Sequence, residues 1–170
     1  MIRSSAPFFS SLRSCAPFFS SLSDINVPDI AILGSKFESY GKHLSAAVFP
    51  TPAFPAKGVL HEPNYRLMVP LVFKQEKEDK ALNVWCVVVT GVPFNYLSVK
   101  TLEAFVGEGN VEQDKTYRFA VQDQSKIIEC RVSEVGSHFE HVNVLGAYGL
   151  SDLRLSAHFD WKSNTFTLQD

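Results

Sequence analysis

The stretch Val84–Ser98, with the sequence VWCVVVTGVPFNYLS, decides the fold of this chain. Its apolar run, residues 84–89, is too short for a membrane span and too rich in valine for a helix interior. The run therefore predicts a strand that is buried on both faces. Gly91 supplies the backbone freedom for a sharp exit from the strand, and Pro93 prevents the strand ladder from continuing. Ser98 can then cap a short helix.

This strand, turn and helix resemble the active-site segment of the retropepsins, the retroviral-type aspartic proteases. In that family a hydrophobic strand leads into Asp-Thr/Ser-Gly, then a small residue and a helix. Thr90 and Gly91 stand where the last two motif residues belong, but Val89 occupies the position of the catalytic aspartate. The resemblance implies a degenerate member of the family, which keeps the loop and lacks its acid.

A second motif extends the resemblance. Val144, Leu145 and Gly146 match the hydrophobic-hydrophobic-Gly strand that precedes a helix in retropepsins. The resemblance covers roughly residues 67–168, including a predicted final hairpin. It implies an all-β fold, a small closed barrel with one or two short helices, which forms a homodimer.

Two segments in which every second residue is apolar, Tyr117–Val121 and Ile128–Val132, predict a β-hairpin. The resemblance gives this hairpin the place of the flap that closes over a retropepsin substrate. It contains no glycine, so a stiffer hairpin than a retropepsin flap is implied. Together with the cleft-loop residues Val92 and Pro93, its tip is the candidate peptide-binding region. The tip residues are Gln122, Asp123, Gln124 and Ser125.

Val89 decides the chemistry that this loop can support. Aspartic proteolysis needs two carboxylates that share one proton, and one of them acts as a base on water. Retropepsins obtain the pair by dimerising, whereas a valine has neither a lone pair nor an acidic proton. The motif therefore predicts no catalytic residue. The other aspartates weighed for this role are interpreted as surface residues; they are Asp79, Asp123, Asp152 and Asp160.

The sequence thus favours a catalytically inactive domain that binds a peptide or protein, or that serves as a dimeric scaffold, of retroelement-related origin. Thr90 and Gly91 are expected to serve the dimer. The alternative is an active retropepsin-type aspartic endopeptidase in which another acid takes over from Val89. A third interpretation is a decaying retroelement-derived gene whose product has no selected role.

The chain divides into three predicted regions. Residues 1–23 hold a tandem repeat, RSSAPFFSSL followed by RSCAPFFSSL. Arginine and serine without acidic residues are typical of mitochondrial or plastid transit peptides, but prolines in the repeat favour a disordered tail equally. Residues 24–61 predict a Pro-rich linker, and residues 62–170 predict the retropepsin-like domain. Pro70, within the first strand of that domain, predicts an edge strand.

Composition limits the partners. A net charge of −2 without a basic stripe argues against nucleic acid, and no apolar run approaches the ~20 residues of a membrane-spanning helix. The cysteines are widely spaced and odd in number, which favours an intracellular, reducing setting. A strand position predicts a buried, unreactive thiol for Cys86. The segment Ser137–His141 is interpreted as a solvated loop rather than a metal site, and no cofactor is expected.

Overall fold

The computed structural model describes residues 40–76, 78–137 and 139–170. The strands of this part of the chain are β1 (Ala56–His61), β2 (Arg66–Gln75), β3 (Ala81–Val88), β4 (Asn95–Leu97), β5 (Thr116–Val121), β6 (Asp123–Val132), β7 (Val144–Leu145), β8 (Ser156–Asp160) and β9 (Thr165–Gln169). The helices are α1 (Val99–Val106) and α2 (Ala147–Asp152). The predicted β-rich fold with one or two short helices is confirmed. The tandem repeat, interpreted as a transit peptide or a disordered tail, and Cys15 within it lie outside the described residues.

All the strands belong to one sheet. Its order is β3-β7-β4-β6-β5-β2-β1-β9-β8, and β3 also pairs with β2. Because β3 pairs with both β7 and β2, each of the six strands from β3 to β2 in this order is hydrogen-bonded to two others of the same set. Strands β1, β9 and β8 extend the sheet outward from β2, and among the described residues β8 has a partner strand on one side only.

Strand β3 lies at the centre of the packing. Val84, Cys86 and Val88 point into the main core cluster. The residues between them, Trp85 and Val87, belong to a second cluster on the other face. The prediction of a strand buried on both faces is confirmed, and β3 connects the two cores.

The amino-terminal boundary of the packed unit differs from the predicted one. Strand β1 falls within the expected linker, yet it pairs with β2 and with β9. Farther upstream, the Leu44 N–H donates to the Asn83 carbonyl at 2.7 Å, and the Asn83 N–H donates to Ser45 at 2.9 Å. The prolines of this region suggested a connector, but Val59 and Leu60 are buried in the cores. The predicted boundary at residue 62 is therefore wrong, because described residues before it pack with the domain.

Strand β2 is internal, which corrects the prediction from Pro70. On one side β2 pairs with β3 from Met68 to Lys74. On the other side its pairing with β1 ends at Met68, and its pairing with β5 begins at Phe73. Alternate residues of a strand present their N–H groups to the same side, so Pro70 faces the same gap as Val72. The proline therefore interrupts no ladder.

Helix α1 begins as predicted. The Ser98 side chain accepts a hydrogen bond from the Thr101 N–H at 3.3 Å, with Ser98 itself in an extended conformation. Leu102 and Phe105 pack into the main core cluster. Within the described residues, neither helix combines the length and apolar character needed to cross a bilayer.

Candidate functional site

The loop of residues 89–93 is held from behind by the second motif. Strands β3 and β7 pair in parallel, and the Val89 N–H donates to the Leu145 carbonyl at 3.0 Å. The carbonyls of Val92 and Pro93 accept hydrogen bonds from the first residues of α2 at 2.8 and 2.9 Å. Both ends of the loop are therefore fixed to the β7–α2 segment, which is the arrangement that the two sequence motifs imply.

Gly146 allows this contact because it has no side chain. A Cβ atom at this position would lie 2.2 Å from the Phe94 carbonyl oxygen and 2.7 Å from that of Val92. The Gly146 N–H donates to Asn95 Oδ1 at 2.9 Å, and Asn95 Nδ2 donates to the Glu129 carbonyl at 2.9 Å. Asn95 is buried with both ends of its amide satisfied, so it fixes β4, β6 and the second motif together.

The motif residues differ in exposure. Val89 is half-buried against the second core cluster, whereas Thr90 and Gly91 are exposed. The Val92 N–H donates to the Val89 carbonyl at 3.2 Å and closes the turn. The φ angle of Gly91 lies outside the left-handed region, and a Cβ there would have no neighbour within 4 Å. The sharp exit from β3 therefore does not depend on a glycine, which corrects the role predicted for Gly91.

Carboxylates do not occupy the loop, whose sequence from 89 to 93 is VTGVP. Asp79 pairs with Lys74 at 3.4 Å on the surface. The side chain and N–H of Ser125 bind Asp123 and lower the pKa of its carboxyl below the ordinary value. The Ser163 hydroxyl does the same for the pKa of Asp160. The lowered pKa values of Asp123 and Asp160 favour ionised surface carboxylates rather than a protonated catalytic acid.

The predicted hairpin is present as β5 and β6, but its tip does not approach the loop. Gln122 is buried, and its N–H donates to the Val72 carbonyl at 2.8 Å. Val72 pairs with Asn83 near the start of β3, whereas the loop follows its end, roughly 20 Å along the strand. The structure therefore does not bring Gln122, Asp123, Gln124 and Ser125 together with Val92 and Pro93, and the flap assignment is corrected.

The two described cysteines are buried and unpaired. Burial raises the pKa of the Cys86 thiol and that of the Cys130 thiol. A thiol that stays protonated is a poor nucleophile, so neither side chain is suited to covalent catalysis.

The residues weighed as metal ligands do not form a site within the described ranges. No group of three or more metal-binding side chains occurs there. His141 Nε2 lies 3.9 Å from Glu140 Oε1 on the surface. His138, the other histidine of this segment, lies outside the described residues.

A pocket beside the loop involves residues that the sequence did not single out. It has a volume of about 420 Å³ and lies between α2 and the outer faces of β5 and β6. The alternation along β6 indicated that Glu129 and Arg131 face outward, but no pattern predicted that Phe94 and Tyr148 would lie beside them. The lining residues are Phe94, Asn95, Thr116, Arg118, Ile127, Glu129, Arg131, Tyr148 and Asp152.

Comparison of the chain with protein-family models and with curated proteins finds no match. Among solved structures, the chain is similar to a retropepsin-like aspartic protease from Rickettsia conorii, at 13% sequence identity and with a TM-score of 0.43. The aligned region covers 66% of this chain and 86% of that protein. At this identity the likeness concerns the fold alone.

Proposed function

We propose that the described region is a retropepsin-like closed-barrel domain that does not cleave peptides. It forms a homodimer through Thr90 and Gly91 and uses the loop of residues 89–93 to bind a peptide or protein segment. The observation that carries the proposal is Val89. It occupies the turn held by Leu145, where the resemblance would require a carboxylate. A retroelement-related origin belongs to the same proposal.

The absence of catalysis follows from the chemistry of the turn. A symmetric pair of these loops would bring two isopropyl groups together, and neither can polarise a water molecule. Two buried carboxylates would instead carry a desolvation penalty of several kcal/mol per ion. Valine at this position therefore favours association while it removes the acid.

Gly91 supports an external partner for the loop. No contact with a described residue requires a glycine there, and the residue is exposed together with Thr90. A missing Cβ lets another backbone approach closely. The exposed Thr90 hydroxyl offers that partner a hydrogen-bond donor and an acceptor. Both features suit either a second copy or an extended peptide.

Peptidase assays test the absence of catalysis. The purified chain is incubated with mixed peptides between about pH 4 and 7, with and without a pepstatin-type inhibitor, because retropepsin-type catalysis depends on a shared proton. We expect no inhibitor-sensitive cleavage. Such cleavage would instead favour the alternative, an active aspartic endopeptidase in which another acid serves.

Sedimentation equilibrium tests the dimer. Val89→Asp places two carboxylates at the proposed interface, so the dissociation constant of the dimer should be larger than that of the unmodified chain. Val135→Asp is the matched control, since Val135 is 74% exposed and lies far along the chain from the loop. Equal dissociation constants for the unmodified chain and Val89→Asp would contradict this interface.

A further inference from the structure

The pocket between α2 and the outer faces of β5 and β6 contains charged groups that form no salt bridge with the described residues. Its volume of about 420 Å³ lies in the range of small-ligand sites. Phe94 and Tyr148 form its apolar wall, with their rings edge to face at a centroid distance of 5.4 Å. It opens beside the loop of residues 89–93 rather than over the exposed motif residues.

Arg131 is one of the two cations that line this pocket. Its guanidinium carbon lies 3.4 Å from the centroid of the Phe94 ring, so the ring holds one face of the group. Arg131 forms no salt bridge among residues 40–76, 78–137 and 139–170. The N–H donors at the edge of a stacked guanidinium stay available, and their fork matches a carboxylate.

Two carboxylates line the same pocket. Neither Glu129 nor Asp152 forms a salt bridge within the described part of the chain. The second cation of the pocket, Arg118, is already paired with Glu76 at 3.1 Å. The pocket therefore presents one unpaired cation and two unpaired anions, which disfavours a phosphate or another purely anionic ligand.

We propose that this pocket binds a short peptide with two free, charged ends. The peptide carboxylate binds Arg131, its ammonium group lies by Glu129 and Asp152, and an apolar side chain packs against Phe94 and Tyr148. A zwitterion of this size satisfies both signs of charge and the apolar wall together. The site is separate from the loop of residues 89–93 and does not depend on the proposed function of that loop.

The proposal is tested by measuring how the tripeptide Ala-Leu-Phe binds to the full chain. Binding is measured by calorimetric titration and by the shift of the Tyr148 amide resonance. The C-terminal amide of the tripeptide should bind at least about tenfold more weakly, because it loses a charged, bidentate hydrogen-bonded pair. The N-acetylated tripeptide should also bind more weakly. Undetectable binding of the free tripeptide at millimolar concentration, or equal affinity for the amide, would overturn the proposal.

Variants assign the two ends of the ligand. Arg131→Gln should weaken the free tripeptide about tenfold and leave the amide unaffected. Glu129→Gln with Asp152→Asn should weaken the free tripeptide and leave the acetylated one unaffected. Lys162→Gln removes one exposed positive charge elsewhere and is the matched control. Equal losses of tripeptide affinity in Arg131→Gln and Lys162→Gln would show that only net charge matters and would contradict the assignment. The tests with modified peptides use the unmodified chain, so they do not depend on whether a variant folds.

Discussion

Gln122 forms the two hydrogen bonds with the Val72 backbone that a residue of a neighbouring strand would form. The Val72 N–H donates to Gln122 Oε1 at 2.8 Å, and the Val72 carbonyl accepts from the Gln122 N–H at 2.8 Å. This pair occupies the gap in β2 between the end of the β1 ladder and the start of the β5 ladder. The Gln122 Nε2 group also donates to the Ala53 carbonyl at 3.2 Å, so one side chain connects three segments.

Gln122→Ala should destabilise the fold. The substitution keeps a non-glycine residue at a φ of 62°, so it adds no new backbone strain, but it leaves the buried Val72 N–H without a partner. An unsatisfied buried donor costs about 1–3 kcal/mol, and that is the expected loss in the free energy of unfolding measured by urea denaturation. Gln124→Ala, at an exposed position two residues farther along, in β6, is the control. Equal stability of the two variants would contradict this role.

Local periodicity was enough to predict several elements. The valine run gave β3, and the alternating residues gave the β5–β6 hairpin. The serine before an apolar helical pattern gave the start of α1. In each case the signal lies in consecutive residues, because period and capping depend on neighbours in the chain.

Long-range pairings were not predictable in the same way. The role of Gln122 depends on a gap in a strand fifty residues away, and a polar residue in a turn is normally interpreted as exposed. Strand β1 was missed because prolines precede it, although its pairing with β9 makes it internal. The Phe94–Arg131 contact likewise brings together a residue that precedes β4 and a residue of β6 that share no sequence pattern.

Acid should weaken the fold through His43. The Trp85 N–H donates to His43 Nδ1 at 3.1 Å, which requires a neutral imidazole. Burial, and secondarily the charge of Lys100, lowers the pKa of His43 from 6.5 to about 4. As the pH falls, His43 therefore binds a proton at a higher pH in the unfolded chain than in the folded chain. The stabilisation is complete above about pH 6.5 and is lost as the pH falls toward 4, by up to about 3 kcal/mol in the free energy of unfolding.

His43→Gln separates this effect from other titrations. Glutamine does not titrate, so the variant should lose the dependence of stability on pH between about 6.5 and 5. Asp123 and Asp160 have lowered pKa values, so their contributions are lost at more acidic pH. Urea denaturation at several pH values provides the measurement. Parallel stability profiles for the variant and the unmodified chain would refute the role of His43.

Gly146 and Gly91 form a matched pair for the candidate site. Alanine at residue 146 would place its Cβ against two backbone carbonyls, which cannot move aside as a side chain can. Gly146→Ala should therefore lower the free energy of unfolding by about 3 kcal/mol or more and separate the loop from the second motif. The Cβ of Gly91→Ala would have no described atom within 4 Å, so the monomer should keep its stability within about 0.5 kcal/mol. If Gly91 instead admits a second copy, Gly91→Ala should weaken self-association in sedimentation equilibrium. A variant that is stable and associates normally would leave the loop without the proposed partner.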